Sequence, residues 1–132
     1  MSDADLMKLY SARILALTAA IPHLGRLPHP QGSAKRRSPL CGSTVTVDVV
    51  MKDGRVAEFA QDVKACALGQ AAASVVGAAL PGRTRAEVER ARDQLAEMLK
   101  GGPVPDAPFD GLEVLLPARD YKRALDDDQG LN

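Results

Sequence analysis

The sequence predicts an α+β domain in which an antiparallel hairpin is followed by helices. Three observations carry that reading. The segment Thr44-Val45-Thr46-Val47-Asp48-Val49-Val50-Met51 alternates, placing Val45, Val47, Val49 and Met51 on one face and mostly polar residues on the other, the pattern of a half-buried strand. It runs into Lys52-Asp53-Gly54-Arg55, where Asp-Gly can take the positive backbone angles of a two-residue hairpin turn. Downstream, Leu68 to Ala79 and the segment after Thr84 both read as helices, and strands followed by helices is the α+β order.

In chain order, Ser2 with Asp5 three residues on marks a helix start, with acidic side chains toward the positive end of the helix dipole. Leu6, Leu9, Tyr10, Ile14 and Leu17 recur at helical spacing, and Ile21-Pro22 ends the helix. Pro22 to Pro39 is interrupted by Gly25, Pro28 and Pro30, and its composition is that of a loop or a poorly alternating edge strand. Its basic cluster, Lys35-Arg36-Arg37, lacks the interleaved aromatics of a nucleic-acid surface and reads as a solvated edge that discourages sheet-to-sheet association. His23 and His29 fit no metal-ligand spacing.

After the hairpin, Val56, Phe59 and Val63 mark a returning antiparallel strand that delivers the chain to Ala65-Cys66-Ala67. The helix from Leu68 to Ala79 is built from Ala71 onward of Ala, Ser, Val and Gly alone, so it is apolar nearly all round and suited to the core. Pro81-Gly82 ends it. Thr84-Arg85-Ala86-Glu87 fits a capping box, and Val88, Ala91, Leu95, Met98 and Leu99 then form one apolar stripe, closed by Gly101-Gly102-Pro103. Pro103 to Pro108 is a loop, after which Phe109, Leu112, Val114, Leu115 and Leu116 return to the core.

With 132 residues and 45% hydrophobic composition the chain supports one core. We divide it into a single domain over residues 1–122 and an acidic C-terminal tail, 123–132, carrying Asp126-Asp127-Asp128. Seventeen basic and seventeen acidic residues balance, which removes any whole-molecule attraction to nucleic acid or an anionic membrane. No segment approaches the roughly 20 apolar residues that span a bilayer. The acidic start Met1-Ser2-Asp3-Ala4-Asp5 argues against a secretory signal and for a cytoplasmic protein with reduced thiols.

Both cysteines flank the hairpin. Cys41 sits on a Gly-containing turn before the first strand and Cys66 follows the second, so a simple register brings them to the same end of the sheet. Three readings are open. A helix N-terminus favours the thiolate of a cysteine placed there, which suits a soft-metal or sulfur-handling site. Cysteines are also common as small buried filler. The third, a disulfide, is disfavoured in a reducing compartment.

The run Cys41-Gly42-Ser43, strand, Asp-Gly hairpin, then Ala65-Cys66-Ala67-Leu68-Gly69-Gln70-Ala71-Ala72-Ala73-Ser74 resembles the U-type iron–sulfur cluster assembly scaffold family, the IscU, SufU and NifU N-terminal type. The family pattern there is Cys-Gly-Asp, a hairpin, then Gly-Cys with a small-residue run. The resemblance extends to about Tyr121. It implies a SufE/NifU-like fold, a small three-stranded antiparallel sheet with helices mainly on one face, and a first strand around Ala34 to Ser38. It implies Cys41 and Cys66 as ligands of an iron–sulfur cluster, iron or zinc, with Ser43 standing where the family has an aspartate. Counting on from Leu115-Leu116-Pro117-Ala118-Arg119, the family's third cysteine falls on Lys122, which is no ligand.

The resemblance further implies a scaffold or carrier rather than an enzyme, with a cysteine desulfurase or other iron–sulfur assembly proteins as partners. A homodimer offering both cysteines from each chain would complete a four-ligand site. Two other readings remain: an interaction module that has kept the fold and lost the metal, and a sulfur acceptor for a cysteine desulfurase through Cys66. No Ser-His-Asp or Cys-His catalytic set, phosphate loop or dinucleotide fingerprint supports other enzymology.

Overall fold

The computed structural model describes residues 12–37 and 43–116. Asp53 and Gly54 both take positive φ, 54° and 76°, and this mirror-image turn joins β2 (Thr44–Lys52) to β3 (Arg55–Lys64) with Lys52 opposite Arg55. The strand β1 (Gly32–Arg37) pairs antiparallel with the other side of β2, so the sheet order is β1-β2-β3. The observed β1 overlaps the expected Ala34 to Ser38 and starts two residues earlier.

A bulge decides which residues of β3 reach the core. Val50 pairs with Glu58 and Met51 with Val56, leaving Ala57 as the extra residue. Val56 and Phe59 differ in parity along the chain, yet the bulge turns both toward the same face, and both are buried. Val47, Val49 and Met51 share that face and pack on the same core.

The helices lie on this face. Residues 12–18 are helical (α1); the expected start of that helix at Ser2 lies outside the described residues. The helix α2 (Ala67–Ala79) packs on β3 and on a 3-10 segment, Asp110–Leu115, that supplies buried Leu112 and Val114. The helix α3 (Arg85–Leu99) opens with the expected capping box, in which the Thr84 hydroxyl accepts from the Glu87 N–H at 3.2 Å and the Glu87 carboxylate from the Thr84 N–H at 3.1 Å. It closes as Gly101, at φ 108°, donates to the Met98 carbonyl and Gly102 to that of Glu97, the paired bonds of a Schellman end. Val56, Phe59, Leu80, Ala91, Phe109 and Leu112 form the centre between sheet and helices.

The second face of the sheet corrects the simple alternation. Asp48 points away from the helices and is fully buried, with Ala60 buried opposite it. The loop before β1 covers it: Arg26 donates twice to the Asp48 carboxylate, at 2.6 and 3.1 Å, and the Leu27 N–H donates at 3.0 Å, while from β1 itself Ser33 donates at 2.6 Å. These bonds hold the Asp48 carboxyl well below the usual carboxylate range, with the Arg26 hydrogen bonds the largest cause. The face that alternation assigned to solvent therefore carries a buried, satisfied carboxylate.

Gln61 plays the matching part on the helix side. Its amide donates to the carbonyls of Pro22 at 3.1 Å and Ala73 at 3.0 Å, tying the first loop to the middle of α2. The outer edge of β3 is covered as well. His23 and Gly25 bond Gln61 through backbone groups, and Gly82 and Arg83 bond Val56. Among the described residues, no helix is long and apolar enough to cross a membrane. The expected boundary between domain and tail lies outside the described residues.

Candidate functional site

The register sets the site at one end of the sheet. Thr44 pairs with Lys64, so the residue before β2 and the residues after β3 emerge together. Ser43 and Cys66 therefore meet. The Ser43 hydroxyl accepts a hydrogen bond from the Cys66 N–H at 3.3 Å and lies 3.9 Å from the Cys66 sulfur, toward which it donates. Ser43 is 7% exposed, whereas Cys66 is a free thiol on the surface. The buried-filler reading therefore does not describe Cys66. Cys41 lies outside the described residues, as do Arg119 and Lys122, so the expected Cys41–Cys66 neighbourhood is not described.

Cys66 is the N-cap of α2, in extended conformation with φ −67° and ψ 172°. Its side chain does not cap the helix, which leaves the sulfur to face outward. Other groups hold its backbone instead. Beyond the Ser43 bond to its N–H, the Cys66 carbonyl accepts from the Gln70 N–H at 2.9 Å, and the Gln70 side chain donates to the preceding Ala65 carbonyl at 2.9 Å. The backbone on both sides of the thiol is thus fixed by residues other than the cysteine. Sequence reasoning passed over Gln70; a long amide one turn into a helix whose N-cap does not cap was the available signal.

Gly69 keeps the turn before the thiol in place. A β-carbon there would stand 2.8 Å from that of Ala65, closer than the two can approach, while the Ser43 hydroxyl would lie at an ordinary contact distance of 3.4 Å. The acidic first turn common to helix starts is missing in α2, so a positive helix end faces the thiol with no carboxylate of its own element.

The donor set is small. Among the described residues, no group of three or more His, Cys, Asp and Glu side chains converges to hold a metal ion. His23 stacks edge-on against Phe59, with ring centroids 6.0 Å apart, and His29 is exposed. Among the described residues the chemistry on offer is one soft, exposed sulfur, a hydroxyl beside it, and the backbone donors of a helix start.

Among solved structures the chain is similar to the N-terminal part of a nitrogen-fixing NifU-like protein from Brucella abortus, at 45% identity over 86% of this chain and 79% of that one, with a TM-score of 0.80. It is similar in fold to a candidate iron–sulfur cluster assembly scaffold protein of the SUF system from Fervidobacterium islandicum AW-1, at 17% identity over 90% of this chain and 88% of that one, TM-score 0.75. A hypothetical protein shares the fold at 22% identity over 86% and 83% of the two chains, TM-score 0.72. No protein-family model matches the chain, and no curated protein does.

Proposed function

Because the chain belongs to the U-type iron–sulfur cluster scaffold family, in its NifU N-terminal type, we propose that it serves as a scaffold or carrier in iron–sulfur cluster assembly and not as a turnover enzyme. The observation that carries the reading is the exposed Cys66 thiol, fixed at the N-terminus of α2 with the Ser43 hydroxyl against its sulfur and its amide. Cys66 and Cys41 would hold the cargo, iron with sulfide or zinc, as thiolates. Ser43 contributes a neutral hydroxyl, a weaker ligand than a carboxylate and an acceptor that steadies the Cys66 backbone. Two cysteines leave a tetrahedral site short of ligands, which a second copy, a small thiol or an assembly partner such as a cysteine desulfurase would complete.

A second reading rests on the small donor set around Cys66 among the described residues. As a sulfur acceptor, the Cys66 thiolate would attack the outer sulfur of a desulfurase cysteine persulfide. The new S–S bond would leave the sulfur on Cys66, and the desulfurase cysteine would depart as its thiolate.

Metal and acid-labile sulfide content of anaerobically purified protein tests both, beside Cys41→Ala and Cys66→Ala. Iron with sulfide, or stoichiometric zinc, lost in both variants is the expected result. A protein that carries no metal and fails anaerobic reconstitution, yet gains a sulfur atom on Cys66 by mass when mixed with a desulfurase and cysteine, would replace scaffold with acceptor. Neither metal nor transferred sulfur would leave the fold without this chemistry.

A further inference from the structure

The two edges of the sheet are treated differently. Backbone hydrogen bonds from residues 23–25 and 82–83 cover the outer side of β3, whereas β1 has β2 on one side and no strand on the other among the described residues. An open edge presents unpaired N–H and C=O groups to any extended chain. Ser33 to Arg37 are all exposed.

The charge on that edge is equally unpartnered. Every other arginine among the described residues forms an ion pair with a carboxylate. Lys35, Arg36 and Arg37 form none; the Arg36 guanidinium reaches only the Lys35 carbonyl, at 3.1 Å. Pairing with β2 puts Lys35 and Arg37 on the face of Thr46 and Thr44, about 6.6 Å apart along the strand. Arg36 stands on the opposite face beside Val45. A strand added here would meet cations on both of its faces.

These features select the occupant. A second copy pairing through β1 would bring its own Lys35-Arg36-Arg37 against these, and like charges across a ladder repel. A strand carrying carboxylates at successive positions gains the backbone bonds and the cross-strand charge pairs together. From the open, basic edge we infer that β1 docks an acidic extended segment of a partner protein by strand addition. Its Arg37 end lies opposite Thr44, next to Ser43 and hence to Cys66, so the docked segment borders the thiol. The docking itself stands on β1 and holds whether or not Cys66 carries metal.

The test is an amide-shift titration of the full chain with a ten-residue peptide of Val and Thr that carries Glu-Asp-Glu at three successive central positions. Controls are the same peptide N-methylated on alternate residues, its Lys-substituted analogue, and a single-stranded oligonucleotide of matching charge. The expected result is saturable shifts at residues 33–37 extending to Ser43, Thr44 and Cys66. Affinity should fall at least tenfold in the Lys35→Glu, Arg36→Glu, Arg37→Glu triple variant and weaken with salt, and N-methylation should abolish it. Shifts elsewhere or none, equal binding by the Lys peptide or the N-methylated one, equal binding by the oligonucleotide, or a β1-mediated dimer of the chain would each overturn the inference. Should the triple variant fail to fold, the peptide controls on the wild-type chain decide alone.

Discussion

The Ser43 hydroxyl touches Cys66 twice, at the amide nitrogen 3.3 Å away and at the sulfur 3.9 Å away. The first contact gives the backbone N–H of the N-cap residue an acceptor at the start of α2. Ser43→Ala removes it and leaves a backbone donor without that acceptor. The variant should lose about 1 kcal/mol of unfolding free energy, the usual net value of such a bond, read as a lower urea midpoint with an unchanged slope. Ser43→Thr, which keeps the hydroxyl, should recover part of the loss. If Ser43→Ala unfolds at the wild-type midpoint, the hydroxyl does not hold the helix start.

At the start of α3 the reciprocal bonds of Thr84 and Glu87 give a second, independent test of a local feature. Thr84→Ala forfeits the side-chain acceptor for the Glu87 N–H and should cost about 1 kcal/mol. Glu87→Gln retains an acceptor for the Thr84 N–H but gives up the charge facing Arg83 at 3.1 Å, and it should cost less. No loss in Thr84→Ala beside a clear loss in Glu87→Gln would mean that the ion pair, and not the cap, sets the stability of this end.

What could be read from the sequence follows the range of the interactions involved. The Asp53-Gly54 turn, the Thr84 capping box and the N-terminal position of Cys66 each depend on residues within four of one another, and each stands as the sequence implied. The meeting of Ser43 with the start of α2 is long-range, but two strands joined by a tight turn return to their starting point, so it followed from the hairpin. Asp48 did not. Its alternation reads as solvent-facing, and its burial depends on Arg26 and Leu27, some twenty residues earlier in a loop with no periodicity. Gln61 was hidden likewise, since its partners Pro22 and Ala73 lie in other elements. The Ala57 bulge left no mark, and without it Val56 and Phe59 would face opposite sides.

Asp48 makes the acid side of the stability profile informative. Its carboxyl is depressed in the folded protein, so its contribution is fully present above the unfolded carboxylate value near about 4 and is lost as pH falls through the folded value. Glu87, held down first by the Thr84 backbone N–H, and Asp106, held down first by Gln94, add slopes of the same sign. Urea midpoints measured from pH 6 down to pH 3 should therefore fall steeply for the wild type below about pH 4. Asp48→Asn should be less stable at pH 6 and follow a visibly flatter curve, with Arg26→Gln between the two. An Asp48→Asn curve parallel to wild type would show that other carboxylates supply the acid sensitivity.

Two glycines of α2 separate packing from site chemistry. At Gly77 a β-carbon would stand 2.6 Å from the Gln61 amide nitrogen and 3.0 Å from Pro22, so alanine must expel the amide that ties β3 to α2. At Gly69 it would strike the β-carbon of Ala65, the residue before Cys66. Overpacking of this kind costs about 1–3 kcal/mol, and the better helix propensity of alanine returns up to about 1 kcal/mol. Both variants should be destabilised, Gly77→Ala the more because the Gln61 bonds to Pro22 and to Ala73, the latter buried, go with it. Only Gly69→Ala disturbs the hold on Cys66; Gly77 lies eight residues along the helix, about 12 Å away. Alkylation kinetics of Cys66 in the folded state should therefore match wild type in Gly77→Ala and differ in Gly69→Ala, and metal retained per folded molecule should divide the same way. If both variants alter the thiol alike, its behaviour follows overall stability, and the local seat built by Ser43, Gly69 and Gln70 plays no separate part.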